Sequence, residues 1–278
     1  MPGAVGVRRP AGLGGGVCGF GIEAFGWRTA LLADCEGTRG VLERYLLPWL
    51  PRTAASPKNA DAVFRIERGE DGAGFQVRVD GRVAACVSTL TEVVSVLQEM
   101  MDEAIVQRIT GSVVVHAGAV AYGGAAVLLP GSSHAGKSTL VAELLGRGCT
   151  YFSDEYALLD GEGRLHSYPR ALMMRDSQGE HFPQLAAEWN AATGRHAERV
   201  GLVMALEHAP GAAWSVRSVP QSEMVLTLLK HTPQLMADSG NMVSQLARTC
   251  AGAECYAGVR GEAADAADRI LSLLAQRP

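Results

Sequence analysis

Gly131-Ser132-Ser133-His134-Ala135-Gly136-Lys137-Ser138 is a complete G-x-x-x-x-G-K-S phosphate-binding loop. Ala125-Ala126-Val127-Leu128-Leu129 precedes it as a short apolar run of strand type. Thr139-Leu140-Val141-Ala142-Glu143-Leu144-Leu145 follows as a run of helix formers closed by Gly146 and Gly148. Strand, glycine loop and helix N-terminus together make an anion site, because backbone N–H groups and the positive end of the helix dipole face the ligand. Gly131, Ser132, Ser133, His134, Ala135, Gly136, Lys137, Ser138 and Thr139 are therefore the candidate nucleotide-binding residues. Lys137 is placed to reach the β- and γ-phosphates, and the Ser138 hydroxyl to ligate Mg²⁺. A chance match in a Gly-rich chain is the alternative, and the strand and helix on either side argue against it. The loop predicts binding of a nucleoside triphosphate.

The second piece of chemistry is Asp154-Glu155, which closes the strand-like run Tyr151-Phe152-Ser153. Acids that follow the strand after a phosphate-loop helix stand at the carboxyl ends of strands, where ligands bind. Adjacent strand residues point to opposite faces. In extended geometry one acid faces the γ-phosphate and the other holds metal or water from the side. One carboxylate then takes the proton of an acceptor hydroxyl while a second helps to hold Mg²⁺. A solvated strand end is the plainer reading of such a pair. His116, taken alone, is a strand-end histidine of the kind that is usually structural.

Bulk properties suit a soluble enzyme. The 278 residues are 47% hydrophobic and 19% charged, enough apolar material for a large core. A net charge of −4 and the absence of any block of like charge argue against nucleic acid as the main partner. The six cysteines, among them Cys86 in Ala84-Ala85-Cys86-Val87, form no C-x-x-C pair and read as reduced, buried thiols. Arg8 and Arg9 are followed by no apolar h-region, and the low-charge stretch 111–131 reads as paired buried strands, not as a membrane span. The expected compartment is the cytoplasm, with no membrane partner.

Three segments are expected: a flexible Gly- and Pro-rich 1–16, an α+β subdomain over 17–110, and a catalytic domain over 111–278. Gly14-x-Gly16-x-x-Gly19 matches a dinucleotide fingerprint formally, but lacks the preceding strand that the fingerprint needs. A helix is predicted over 38–47 and a β-hairpin over 62–68 and 74–80, with a third strand at 83–87. Apolar spacing through Val93, Leu97, Met101 and Ile105 predicts a helix over 90–109. Strands are predicted at 113–116, 119–122, 125–129, 151–155 and 200–206. A hairpin is predicted over 156–159 and 164–168, and an amphipathic helix over 261–276.

His116-Ala117-Gly118, the loop with its flanking Leu129-Pro130 and Thr139, Arg147-Gly148 and Ser153-Asp154-Glu155 resemble, in order and spacing, the HPr kinase/phosphorylase family, and most of all its shortened branch. The likeness covers about residues 112–170. It implies an α/β P-loop kinase core of the phosphoenolpyruvate-carboxykinase type and transfer of phosphate from Mg·ATP to a serine hydroxyl of a protein. Carried over by position, Lys137 binds phosphates, Ser138 holds Mg²⁺, and His116 is an active-site residue. Glu155 matches the acid that accepts the serine proton, and Asp154 the first acid of the pair. The family's second acid is usually Asp, so the longer Glu155 leaves an exchange of roles open, with both acids as metal candidates. His134 stands where the typical loop has Gly. The later segment with a further metal-binding Glu, used for dephosphorylation, is not found. The chain also resembles the shortened kinases that occur in pathways phosphorylating ribosomally made peptides such as lasso peptides, which implies an acceptor of that kind.

Three functions follow: a serine kinase acting on a protein or peptide, a small-molecule kinase on the same fold, and a nucleotide-binding regulator without catalysis. A homo-oligomer is compatible with each. Arg170 and Arg175 are further candidates for contact with phosphate, and Glu207 for a distant metal acid.

Overall fold

The computed structural model describes residues 18–54, 56–69, 72–132, 135–176, 179–233 and 239–277. Segment 1–16, the first glycines of the fingerprint match, Ser133 and His134 lie outside the described residues.

β1 (Cys18–Ala24) and β2 (Trp27–Ala33) form an antiparallel hairpin that the Gly-rich sequence did not announce. α1 (Glu36–Leu46) starts where Cys35 Sγ accepts the Thr38 N–H. β3 (Arg52–Thr53), β4 (Ala62–Arg68), β5 (Phe75–Val79) and β6 (Arg82–Val87) complete a six-stranded sheet of order β3-β1-β2-β4-β5-β6. The expected hairpin and third strand are the antiparallel run β4-β5-β6. α2 (Leu90–Val106) begins with a reciprocal cap: Thr89 Oγ1 accepts the Glu92 N–H and the Glu92 carboxylate accepts the Ser88 N–H. Cys86 is exposed on β6, as is Cys35 before α1, which corrects the expectation that these thiols are buried; an edge strand leaves one side of its chain to solvent. Cys149, Cys250 and Cys255 are buried.

β7 (Val113–Tyr122) and β8 (Ala125–Pro130) form a hairpin across Gly123-Gly124, with φ of +60° and +82° that a tight primed turn requires. β7 is one strand where two were predicted. Ala117 and Gly118 keep pairing, against Pro130 and Leu129, because a gap there would leave buried peptide groups without partners. The chain continues through α3 (Lys137–Gly146), β9 (Thr150–Ser153), β10 (Tyr156–Leu159), β11 (Arg164–His166), β12 (Leu172–Arg175) and β13 (His181–Gln184). A 3₁₀ turn (Ala186–Trp189) then leads to β14 (Glu198–His208), β15 (Ser215–Ser218), α4 (Gln221–Lys230), α5 (Ser239–Ala251), β16 (Glu254–Arg260) and α6 (Ala263–Ala275). The second sheet runs β11-β10-β7-β8-β14-β16-β15, with β9 also on β7. Within it β8, β14 and β16 are parallel, so their carboxyl ends share one edge, and the glycine loop leaves β8 there.

Alternation along β8 sorts the core. Ala126 and Leu128 pack on one face with Met224 and Leu228 of α4 and Leu246 of α5. Val127 and Leu129 pack on the other with Leu140 and Leu144 of α3 and Ile270 of α6. A third cluster joins the six-stranded sheet and α2 to Val114, Leu158 and Tyr168 of the second half. The described residues thus form a mixed α/β protein whose two large sheets meet through α2, with β12 and β13 as a separate two-stranded sheet. Among the described residues, no helix is long and apolar enough to cross a membrane.

Candidate active site

The site forms where three local structures converge. The first is the turn into α3. Gly136 takes φ +73°, a left-handed conformation that glycine adopts without strain, and Lys137 opens the helix. Lys137 is buried, and its Nζ donates to the carbonyls of Gly131 and Ser132 at 3.1 and 2.9 Å. Burial pushes its ammonium down from the ordinary lysine range, although Glu155 and Asp154 pull the other way.

The second is the bend after β9. The strand ends at Ser153, two residues earlier than predicted, because Ser153 Oγ accepts the N–H groups of Glu155 at 3.1 Å and Tyr156 at 2.9 Å. That turn removes the extended geometry expected of the acids and brings both to the loop. Asp154 is fully buried and accepts from Ser138 Oγ at 2.8 Å and from the Tyr151 hydroxyl at 3.0 Å. Glu155 is partly exposed and meets His116 instead, Oε1 to Nε2 at 2.6 Å.

The third is the middle of β7, which carries His116. Its Nε2 also lies 3.3 Å from Lys137 Nζ. The shorter contact assigns Nε2 as the donor to Glu155. Burial raises the Glu155 carboxyl, but the His116 hydrogen bond and the charges of Arg170 and Lys137 outweigh it and bring it down to about 2.

His116, Lys137, Ser138, Asp154 and Glu155 are thus brought together, and Gly131, Ser132, Ala135, Gly136 and Thr139 surround them. A cleft of about 670 Å³ opens over Lys137, Ser138, Thr139, Glu155 and Arg170, with Glu99 and Glu103 of α2 on its wall. A second, of about 800 Å³, is lined by Gly131, Ser132 and Ala135, by the carboxyl ends of β14 and β16, and by Arg217 and His231. Glu207 is an exposed residue of the second cleft and does not join the acids. Arg147 lies away from the centre as well. It pairs with Glu143 and Asp268 and ties α3 to α6.

Arg170 is central. It is buried, with Nη1 2.6 Å from Asp102, Nη2 3.5 Å from Glu155 and Nε 3.6 Å from Asp154. Against the cost of burial, these three acids hold its guanidinium firmly charged. Arg175 lies at the cleft edge and donates to His181 Nε2.

Sequence reasoning missed Asp102, Tyr151 and Arg260. Arg260, at the end of β16, is buried and donates to the carbonyls of Ala135 and Gly136 at 3.3 and 2.9 Å, bracing the loop from behind. A signal for Asp102 existed. Gln98 and Asp102 interrupt the apolar stripe of α2 at helical spacing, which marks polar groups with buried partners.

The donor set suits Mg²⁺, which takes few protein oxygens and fills its octahedron with phosphate and water. Ser138 Oγ and Asp154 Oδ2 offer that minimal set side by side. Among the described residues no cluster of three His, Cys, Asp or Glu side chains forms a metal cage.

No protein-family model matches the chain, and no curated protein matches it. Among solved structures, the HPr(Ser) kinase/phosphatase from Coxiella burnetii is similar at 14% identity and a TM-score of 0.35, over 58% of this chain and 93% of that one.

Proposed function

We propose that this chain is an ATP-dependent kinase that transfers the γ-phosphoryl group to a serine hydroxyl of a protein or a ribosomally made peptide. The observation that carries the proposal is the division of the acids around one helix N-terminus. Asp154 is hydrogen-bonded to Ser138 in the first turn of α3, while Glu155 faces the cleft beside Lys137 with His116 behind it. A regulator that only binds nucleotide has no need of a second, separately oriented carboxylate.

In this reading the backbone N–H groups at the start of α3 cradle the phosphates. Lys137 exchanges its contacts with the Gly131 and Ser132 carbonyls for the β- and γ-oxygens. Ser138 and Asp154 would hold Mg²⁺, which when bound supplies charge neutralisation at the phosphates. Glu155 orients the acceptor hydroxyl. Its oxygen forms the new bond to Pγ as the bond from Pγ to the β-bridging oxygen of ADP breaks, and the hydroxyl proton passes to the Glu155 carboxylate. A carboxylate held near a pKa of 2 is fully ionised at neutral pH, so it acts chiefly by orientation and takes the proton late. His116 keeps Oε1 in place through its N–H.

The test is intact-mass analysis of candidate proteins and peptides, those encoded beside this gene first, after incubation with Mg·ATP. The expected result is a single added phosphate on a serine, lost when Lys137→Ala replaces the wild type. ADP release with no modified polypeptide, but with a phosphorylated metabolite, would turn the reading to a small-molecule kinase. Nucleotide binding with no ADP formed would leave a regulator.

A further inference from the structure

Asp102 belongs to α2, packed on the first sheet, far in sequence from the loop and the acids. Its side chain is only 4% exposed, yet it lines the cleft over Lys137. Both carboxylate oxygens are engaged at short range: Oδ2 accepts from Arg170 Nη1 and Oδ1 from the Tyr168 hydroxyl, each at 2.6 Å. One turn earlier, Gln98 Nε2 donates to the Ala171 carbonyl at 3.2 Å, so α2 grips the segment 168–171 at two levels.

On its other side Arg170 is held loosely. Nη2 and Nε stand 3.5 and 3.6 Å from Glu155 and Asp154, ion-pair distances beyond a good hydrogen bond, and Nε is buried without a hydrogen-bond partner. The backbone of Arg170 is fixed independently, its carbonyl accepting from the Tyr151 hydroxyl that also reaches Asp154. One end of the guanidinium is therefore anchored, and the other is presented to the acids and the cleft.

We infer that Asp102 is a positioning residue for phosphotransfer. It fixes the plane of the Arg170 guanidinium so that Nη2 and Nε face Glu155, Asp154 and a transferring phosphoryl group. α2, packed on the N-terminal sheet, thereby completes the active site and does not merely flank it. A guanidinium is suited to this task because its planar fork is set in orientation by a partner on one edge while the other edge stays available to anionic oxygens. This inference rests on the phosphotransfer reading.

The experiment uses the full chain and the basal formation of ADP from Mg·ATP, which needs no identified acceptor. Asp102→Asn keeps the size and one acceptor oxygen but removes the charge. Arg170→Gln removes the group through which Asp102 acts, and the double variant replaces a buried ion pair by two amides, a change that buried pairs tolerate better than loss of one partner. Expected for Asp102→Asn is a fall in kcat on the order of 10- to 100-fold, as misplacement of a reacting group produces, with KM for Mg·ATP changed by less than about 3-fold. In the Arg170→Gln background the same change is expected to alter kcat by less than about 3-fold. Wild-type kcat in Asp102→Asn, or the full loss repeated on top of Arg170→Gln, would overturn the inference. Should Asp102→Asn alone fail to fold, comparison of Arg170→Gln with the double variant keeps the test, a full further loss there overturning the inference. Wild-type protein that binds Mg·ATP and forms no ADP, alone or beside the candidate acceptors, overturns the kinase reading, and the positioning role with it; wild-type turnover with an unaffected Asp102→Asn overturns the positioning role alone.

Discussion

Ser138 Oγ donates a 2.8 Å hydrogen bond to Asp154 Oδ2, joining the first turn of α3 to the bend that follows β9. The contact separates two acids that are neighbours in sequence. Asp154 is drawn under the helix and buried, and Glu155 is left at the cleft with His116.

Ser138→Ala removes that donor and one oxygen from the pair that would hold Mg²⁺. The Mg²⁺ concentration for half-maximal ADP formation is expected to rise about 10-fold or more, the scale on which ligands and their supports tune metal affinity. A titration of Mg²⁺ at fixed ATP reads this directly, and an unchanged midpoint would remove Ser138 from the metal site.

Glu155→Gln keeps the shape of the side chain and removes its charge. Transfer is expected to fall by about 100-fold or more while the affinity for ATP stays within about 3-fold, because the carboxylate acts on the acceptor and not on the nucleotide. Equilibrium nucleotide binding beside single-turnover transfer checks both halves. Full transfer by the variant would place the base elsewhere.

The same residue predicts a pH dependence of stability. The Glu155 carboxyl lies at about 2 in the folded protein against an ordinary 4.5, so folding favours the ionised form. Its contribution is fully present above pH 4.5 and is lost as the pH falls through 2, a change of about 3 kcal/mol at most. Urea unfolding of wild type and Glu155→Gln is expected to show a gap at pH 5 to 7 that closes towards pH 2. A gap of constant size would mean that the His116 and Arg170 contacts do not stabilise the carboxylate.

Arg260→Ala leaves the Ala135 and Gly136 carbonyls without their donor. Loss of buried hydrogen bonds of this kind costs about 1–3 kcal/mol, and with the loop unbraced the affinity for ATP is expected to drop about 10-fold. Thermal unfolding and nucleotide titration measure the two effects. The reciprocal change, Gly136→Ala, is expected to weaken binding too, since a Cβ there meets Arg260 Nη2 at a backbone φ of +73°.

Features written in neighbouring residues were legible. The glycine loop, the helix it opens, the Gly123-Gly124 turn and the hairpin from Ala62 to Val79 depend on contacts a few residues long. The length of β7 was not legible, since Ala117 and Gly118 are strand residues only because β8 pairs with them, against Pro130 and Leu129. β16 and β15 were missed for a similar reason. β16 pairs with β14, and β15 with β16, so the pairing joins segments whose own patterns are short. Ser153 ends β9 by a side-chain hydrogen bond that competes with the strand, a choice its type permits but does not compel.

The sequence by itself determined that an anion-binding loop with a lysine and a hydroxyl stands ahead of a pair of acids, because loop and helix N-terminus are local structures. Only the tertiary structure decided which acid meets Ser138 and which meets His116, and that Arg170 lies between them and Asp102. A buried charge requires an opposite charge within a few ångströms, and folding is free to supply it from any part of the chain.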